Sequence, residues 1–126
     1  MDVLIVDDSS VIRERLAGLL SEIDGVRVVG EAETPGEAIE AAERFNPDVV
    51  LLDIRLRGGN GVEVLPRIKK MVPAPVVIVI TNYPYPQYRM VSMSMGADHF
   101  FHKTTELPDV ITTIKNLAAA RGFRGE

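Results

Sequence analysis

Short apolar runs alternate with longer segments of mixed polarity along most of the chain. Five runs of four or five residues are dominated by β-branched, Leu or aromatic residues and are predicted to be strands: Val3–Val6, Val26–Val29, Val49–Leu52, Val76–Ile80 and His99–His102. The third run is apolar at every position, which is typical of a strand buried on both faces. After each run, apolar residues recur at three- and four-residue spacing, which predicts an amphipathic helix.

The first two predicted helices begin with clear capping signals. Ser9 or Ser10 is a suitable N-cap for the first helix. Thr34 is followed by a proline and, three residues on, by Glu37, which predicts a capping box at the start of the second helix. The apolar spacing of that second helix predicts that Phe45 faces the core.

The third and fourth helices carry weaker signals. Pro66 lies inside the third apolar pattern, so that helix either kinks or begins later, and the pattern includes Val72. A fourth helix is predicted over Gln87–Met95. Its Met90 and Met93 share one face, where they either pack in the core or form part of a partner surface.

Five strand–helix units in this length predict an α/β fold with a parallel sheet and helices on both faces. The expected strand order is 2-1-3-4-5, the flavodoxin-like doubly wound arrangement. The glycine-rich segment 57–61 is predicted to be a loop. We expect one domain over residues 1–120, followed by a polar tail over residues 121–126.

Composition narrows the class of protein further. The chain has 126 residues, a net charge of −4 and no cysteine, so disulfide and thiol chemistry are excluded. The acidic balance gives no electrostatic reason to expect direct nucleic-acid binding. The longest apolar run, Val76–Ile80, is far shorter than the roughly 20 residues of a membrane helix, and the N-terminus lacks signal-peptide features. We therefore expect a soluble, cytoplasmic domain.

Polar residues gather where the predicted strands end. Asp7 and Asp8 follow the first strand, Asp53 the third, Thr81 the fourth and Lys103 the fifth. Ligands of such sheets bind at the carboxyl ends of the strands, where the strand order reverses. Three other aspartates precede their strands and are expected to be solvated at the opposite edge: Asp2, Asp48 and Asp98.

Three converging carboxylates repel one another unless a cation is present, and an oxygen-only site with open positions suits Mg²⁺. One carboxylate could then attack phosphorus and form an acyl phosphate, stabilised by a metal, a hydroxyl and an ammonium group. The alternative is that Asp7 and Asp8 serve only as a turn and a helix cap. The presence of Asp53, Thr81 and Lys103 at the same edge favours the chemical site.

Together these motifs resemble the receiver domains of bacterial two-component response regulators. The resemblance covers nearly the whole chain and depends on the order and spacing of five motifs: Ile5-Val6-Asp7-Asp8, Pro47-Asp48-Val49-Val50-Leu51-Leu52-Asp53 with Gly61, Thr81, Gly96-Ala97-Asp98, and Phe100-Phe101-His102-Lys103. The segment 28–32 is further similar to receivers that often precede a helix-turn-helix domain. No such domain follows here, so the resemblance implies a stand-alone receiver.

The resemblance implies a role for each site residue. Asp53 would be the phosphoacceptor. Asp8, Asp53 and the Arg55 backbone carbonyl would bind Mg²⁺ directly, and Asp7 would reach it through water. Thr81 and Lys103 would contact phosphoryl oxygens. Phe100 would be the aromatic residue that moves inward with Thr81 on activation, although a plain core aromatic is the alternative.

The same resemblance implies a self-phosphorylating signalling switch with slow self-dephosphorylation, rather than a turnover enzyme. Its donor would be a sensor histidine kinase or a phosphotransfer protein. The face made by the fourth helix, the fifth strand and the fifth helix would bind an output protein or a second copy. The alternatives are a pseudo-receiver that acts only as an interaction module, an aspartyl-phosphate phosphatase, and a flavin-binding protein. The phosphatase motif and the phosphate-binding loop after strand one are both missing.

Four positions depart from the family pattern: Arg55, Arg57, Asn82 and Thr104. Arg57 and Thr104 stand where the family usually has Pro, so we expect a looser loop and a different or less rigid placement of Lys103. Arg55 and Asn82 are expected to change phosphorylation and hydrolysis rates.

The segment Tyr83–Tyr88, with two prolines and three tyrosines, is either a docking surface or a rigid start to the fourth helix. No functional role is expected for His99 and His102.

Overall fold

Five parallel strands form one central sheet in which, counted along the chain, the second strand lies beside the first, followed by the third, fourth and fifth, as the sequence predicts. The computed structural model describes residues 1–124. The strands are β1 (Asp2–Val6), β2 (Arg27–Ala32), β3 (Val49–Asp53), β4 (Val76–Thr81) and β5 (His99–His102). The central strand β3 is buried at every position. Because strands β1 and β3 are neighbours, the residues that end them meet at one edge of the sheet.

Helices cover both faces of the sheet. They are α1 (Ser10–Ser21), α2 (Pro35–Phe45), α3 (Leu65–Lys69), α4 (Pro86–Ser94) and α5 (Leu107–Arg124). One apolar cluster joins α1 and α5 to the sheet, and a second joins α2 and α3 to the opposite face, where Tyr88 of α4 also packs. The fold is therefore the doubly wound α/β arrangement that the alternation of apolar runs predicts.

The capping signals act largely as predicted. Ser9 Oγ accepts the Ile12 N–H at 3.3 Å, and Thr34 Oγ1 accepts the Glu37 N–H at 3.1 Å. The Glu37 carboxylate, however, accepts from the Glu33 N–H rather than from Thr34. Both side chains therefore accept a backbone N–H at the start of α2. The Glu37 carboxylate differs from a standard capping box in bonding the residue before the N-cap instead of the N-cap itself.

Three local predictions are wrong or incomplete. Phe45 is 37% exposed because Ala38 and Ala42 form the inward face of α2. Helix α3 begins at Leu65 after a short 3₁₀ turn, with Pro66 in its first turn, and Val72 lies beyond its end at 96% exposure. The predicted loop 57–61 contains part of a small antiparallel hairpin, Arg55–Leu56 with Gly59–Asn60.

Helix α4 places its two methionines towards solvent and not in the core. Met90 is 72% exposed and Met93 is also exposed, so the core-packing interpretation is wrong for both. The residue that α4 buries is Ser92, whose hydroxyl has no hydrogen-bond partner. An apolar surface therefore faces solvent on this helix.

The aspartates at the opposite edge have a structural role beyond solvation. Asp48 Oδ2 accepts the Asp2 N–H at 2.7 Å, and Asp98 Oδ2 accepts the Val77 N–H at 2.8 Å. Asp98 also pairs with Lys69 at 2.9 Å. These carboxylates satisfy backbone donors at the starts of strands, which explains why acidic residues occupy those positions.

Helix α5 continues to Arg124, past the predicted domain boundary at residue 120. Gly125 and Glu126, the end of the predicted tail, lie outside the described residues. Within residues 1–124, none of the helices has the length and apolar character needed to cross a membrane.

Candidate functional site

Three carboxylates converge at the carboxyl edge of the sheet. Asp7 directly follows β1, and Asp53 is the last residue of β3. One oxygen from each of Asp7, Asp8 and Asp53 lies within 4.8 Å of the others. Asp7 is fully buried and Asp53 is 3% exposed, whereas Asp8 faces solvent. The strand order therefore brings together the acidic residues that the sequence placed at strand ends.

Lys103 reaches this cluster from the end of β5. Its Nζ donates a hydrogen bond to Asp53 Oδ2 at 2.7 Å. The same Nζ lies 2.7 Å from Asp7 Oδ2, as an ion pair without hydrogen-bond geometry. Thr104 stands where the family usually has Pro, yet Lys103 still reaches the site: its ammonium bridges two buried carboxylates.

Burial sets the protonation of these groups. Burial raises the pKa of Asp53 to about 6, against the hydrogen bond and charge of Lys103, which lower it; the charge of Asp7 raises it further. Burial alone would lower the pKa of Lys103, but its contacts with Asp53 and Asp7 outweigh that effect and leave it above the ordinary value. The ammonium therefore stays charged at neutral pH.

The carboxylate cluster fits a hard divalent cation. Asp7 Oδ2 is buried with the Lys103 ammonium as its partner, and Asp8 directs an exposed carboxylate to the same place. Oxygen donors of this kind are the ligands that Mg²⁺ prefers. The alternative role as a turn and cap accounts for one oxygen only, since Asp7 Oδ1 accepts the Ser9 N–H at 2.9 Å.

Thr81 ends β4, the strand between β3 and β5, and Phe100 lies on β5, the strand that leads to Lys103. Thr81 ends β4 and is fully buried, and its Oγ1 accepts the Tyr83 N–H at 2.9 Å. Phe100 is 6% exposed within the core, with the Arg89 guanidinium 5.7 Å from the centre of its ring. Both residues are in position to link the site to α4, and their role as switch residues stays a prediction.

Aromatic side chains form the rim of the site. The Tyr83 and Tyr85 rings lie 6.4 Å apart, and those of Tyr85 and Tyr88 lie 5.9 Å apart. The Arg55 guanidinium lies 4.3 Å from the centre of the Tyr83 ring, in cation–π contact. Its backbone N–H donates to Asp53 Oδ1 at 3.3 Å. Arg55 thus connects the loop after Asp53 to the Tyr83–Tyr88 segment, a pairing that the sequence did not reveal.

Sequence reasoning also missed Arg13, which supports the site from α1. Its Nη1 donates to the Asp7 backbone carbonyl at 2.6 Å, and its Nε pairs with Glu31 at 2.9 Å. The hairpin after Asp53 is tied to the same region, since Arg57 pairs with Glu33 at 3.2 Å. The Arg57 backbone N–H also donates to the Glu33 carbonyl at 3.2 Å, a hydrogen bond that a proline at this position could not make, while the looser loop stays a prediction.

Gly61 is required by a close backbone approach. A Cβ at this position would overlap the carbonyl oxygen of Asp53. Replacing Gly61 with Ala is therefore expected to displace the Asp53 backbone and to destabilise the domain by about 1–3 kcal/mol, the usual cost of overpacking. Urea unfolding measures the change.

Gly18 of α1 provides the matched control, since a Cβ there meets no atom within 4 Å. Gly18→Ala should leave the free energy of unfolding unchanged or raise it by up to about 1 kcal/mol. A Gly61→Ala protein as stable as Gly18→Ala would contradict the close approach.

Comparison with known proteins gives a consistent match. A family model described as response regulator receiver domain matches residues 3–115. The response regulator VraR of Staphylococcus saprophyticus is 32% identical over 113 residues, which cover 90% of this chain and 54% of VraR. The chain spans between 23% and 56% of the length of the curated relatives that it matches.

Solved structures agree on the fold. A CheY-like receiver domain from Methanospirillum hungatei superposes with a TM-score of 0.85 at 28% identity, covering 98% of this chain and 97% of that one. A chain of the CheX-CheY-BeF3-Mg²⁺ complex from Borrelia burgdorferi superposes with a TM-score of 0.83 at 25% identity, covering 93% and 88%.

Proposed function

Because this chain belongs to the response regulator receiver family, we propose that it is a phosphoacceptor in a two-component phosphorelay, with Asp53 as the acceptor. One observation carries the proposal: a buried ammonium lies 2.7 Å from Asp53 and 2.7 Å from Asp7, beside the exposed Asp8. Phosphoryl transfer spreads negative charge over oxygen atoms in its transition state, so a fixed cation beside a carboxylate nucleophile favours it.

We propose Mg²⁺ as the cofactor. Receiver domains of this family bind Mg²⁺ at an acidic cluster, and this chain has such a cluster. Asp8, Asp53 and the Arg55 backbone carbonyl would hold the ion directly, with Asp7 reaching it through water. When bound, Mg²⁺ supplies positive charge to the phosphoryl oxygens.

The donor in this proposal is a phosphohistidine of a sensor kinase or of a phosphotransfer protein. A carboxylate oxygen of Asp53 attacks phosphorus, the bond from phosphorus to the donor nitrogen breaks, and the imidazole keeps the electron pair. Lys103 then pairs with a phosphoryl oxygen. Thr81 Oγ1 accepts from Tyr83, which leaves its hydroxyl hydrogen free to donate to another. Water later hydrolyses the acyl phosphate slowly and restores Asp53.

Phosphorylation adds nearly two negative charges beside Thr81. We propose that Thr81 and Phe100 then shift and change the face formed by α4, β5 and α5. Support comes from α4 itself, which exposes Met90 and Met93 and buries a serine hydroxyl without a hydrogen-bond partner. An apolar face of this kind suits an output protein or a second copy of the domain.

Incubation with acetyl phosphate and Mg²⁺ tests the proposal, with intact mass as the measurement. Wild type should gain the mass of one phosphoryl group, and EDTA should prevent the gain. Asp53→Asn should show none, while Asp24→Asn, at an exposed position outside the carboxylate cluster, should behave as wild type. No gain in wild type, together with no binding of beryllofluoride, would favour the pseudo-receiver instead.

A further inference from the structure

The turn that carries Lys103 is closed by an imidazole. Lys103 directly follows β5, and its backbone N–H donates to the Thr81 carbonyl at 2.8 Å. The next two backbone N–H groups, of Thr104 and Thr105, both donate to His102 Nδ1, at 3.1 and 3.0 Å. One ring nitrogen thus accepts both of the donors that follow the lysine.

His102 and Glu106 close the turn from opposite ends. The His102 N–H donates to Glu106 Oε1 at 2.8 Å, and the Glu106 N–H donates to the His102 carbonyl at 3.2 Å. The pattern is that of a helix cap, in which Ser, Thr, Asp or Asn usually supplies the acceptor. An imidazole in that place differs from those acceptors because it gains a proton near neutral pH.

We propose that His102 is a proton-sensitive positioning residue for Lys103, a role that rests on the proposed function of the site. Nδ1 accepts hydrogen bonds only in the neutral ring that carries its proton on Nε2, whereas an imidazolium has two donors and no acceptor. In the protonated ring, Nδ1 would carry a hydrogen that points at the N–H groups of Thr104 and Thr105, and these three N–H groups would repel one another. The turn then opens, and Lys103 leaves the 2.7 Å contact with Asp53.

The groups around His102 do not cancel this effect. The charged groups on the neighbouring segments are Glu106, whose Oε1 accepts the His102 N–H at 2.8 Å, and Arg89 of α4, which donates to the Phe100 carbonyl at 3.4 Å. On β4 the register partner is the uncharged Thr81, followed by Asn82, whose Oδ1 accepts from the Thr104 hydroxyl at 3.3 Å. Lys103 itself adds a further positive charge. The hydrogen bonds to Nδ1 therefore remain the main difference between the two protonation states.

The position also explains why Lys103 is well placed without a proline after it. Thr104 has a backbone N–H that proline would lack, and His102 accepts it. The same bond makes the placement of Lys103 depend on pH.

The test compares the rate of phosphorylation by acetyl phosphate and Mg²⁺ in three proteins at about pH 7.5 and about pH 6, on either side of the usual histidine range. Over this range the neutral fraction of an ordinary imidazole falls from about nine-tenths to about one quarter, so the wild-type rate should fall about two- to fourfold more than that of His102→Asn. Asparagine Oδ1 takes the place of Nδ1 but does not gain a proton. Any pH dependence that comes from the carboxylates is therefore present in both proteins, and the comparison isolates the effect of the ring. His102→Phe should be slow at both pH values, because it lacks the acceptor.

A second measurement does not depend on phosphorylation. The amide signals of Thr104 and Thr105 in ¹H–¹⁵N NMR spectra should titrate together with the His102 ring in wild type and stay constant in His102→Asn. Equal pH profiles for wild type and His102→Asn, or amides that do not titrate, would overturn the cap. A wild-type protein that is never phosphorylated but whose amides titrate would instead overturn the proposed function and leave the cap supported.

Discussion

Replacing Lys103 with Met is expected to abolish phosphoryl transfer and to destabilise the domain by about 3–5 kcal/mol at neutral pH, the usual cost of removing one partner from a buried ion pair. Lys103 Nζ is 2.7 Å from both Asp53 and Asp7, so its loss leaves two buried carboxylates facing each other. Urea unfolding and the acetyl phosphate mass assay measure the two effects.

The stability loss should depend on pH with a definite sign. The pKa of Asp53 is raised to about 6, so its protonated form favours folding below about pH 4, and that contribution is lost as the pH rises through 6. Without Lys103 its hydrogen bond and its charge no longer lower the pKa of Asp53, which therefore rises further although the Arg55 N–H still lowers it. The Lys103→Met protein should therefore lie furthest below wild type at and above neutral pH and approach it as the pH falls towards about 6, below which Asp53 is protonated in both proteins.

Lys69→Met is the matched control. Lys69 is also paired with a carboxylate: its Nζ lies 2.9 Å from Asp98 Oδ2. The Asp98 side chain, however, is 39% exposed. Exposed pairs contribute about 0–1 kcal/mol, and the lost bond to the Pro75 carbonyl adds little more. Equal losses in both lysine variants, or a Lys103→Met loss that is the same at acid and neutral pH, would show that Lys103 is not a buried counter-ion.

The strand order could be predicted because the chain alternates cleanly between apolar runs and helical periods. Given this order, the rule that ligands bind at the carboxyl ends of the strands predicts that Asp7, Asp53 and Lys103 lie at the same edge of the sheet. Asp53 ends a strand and the other two residues directly follow one, so their placement depends on strand ends alone. The fold and the core of the site are therefore accessible from the sequence.

Contacts between distant segments could not be predicted in this way. Arg13, on α1, donates a hydrogen bond to the Asp7 carbonyl, and Arg55 stacks on Tyr83, which lies 28 positions further along the sequence. Neither contact produces a periodic pattern in the sequence. No role was expected for His102. Its imidazole acceptor could not be predicted, because sequence patterns associate caps with small polar residues.

Helical periodicity failed where elements are short or partly exposed. Met90 and Met93 lie on a nine-residue helix with one fully buried position, so their spacing does not determine which face is inward. Val72 follows a helix of five residues that ends at Lys69. In both cases, packing against the sheet rather than the apolar pattern decides the orientation.

Replacing Asp8 with Asn is expected to weaken Mg²⁺ binding by at least about tenfold, because it removes a charged ligand from a cluster of three carboxylates. Asp8 is exposed, so the metal-free variant should unfold at nearly the wild-type urea concentration. In wild type, Mg²⁺ at about 100 times its dissociation constant should add about 2.7 kcal/mol to the free energy of unfolding. Thermal and urea unfolding with and without Mg²⁺ measure both.

Protons should compete with the cation at Asp53. Because burial raises the pKa of Asp53 to about 6, the carboxylate is increasingly protonated below that pH, and the stabilisation by Mg²⁺ should shrink as the pH falls through this value. Asp24→Asn, exposed and outside the cluster, should keep the full response to Mg²⁺. Equal stabilisation of Asp8→Asn and Asp24→Asn would contradict a role for Asp8 as a ligand. Because Asp8, unlike Lys103, contributes little to the apo fold, its variant separates cation binding from folding: loss of phosphorylation in a stable Asp8→Asn protein would come from the missing cation.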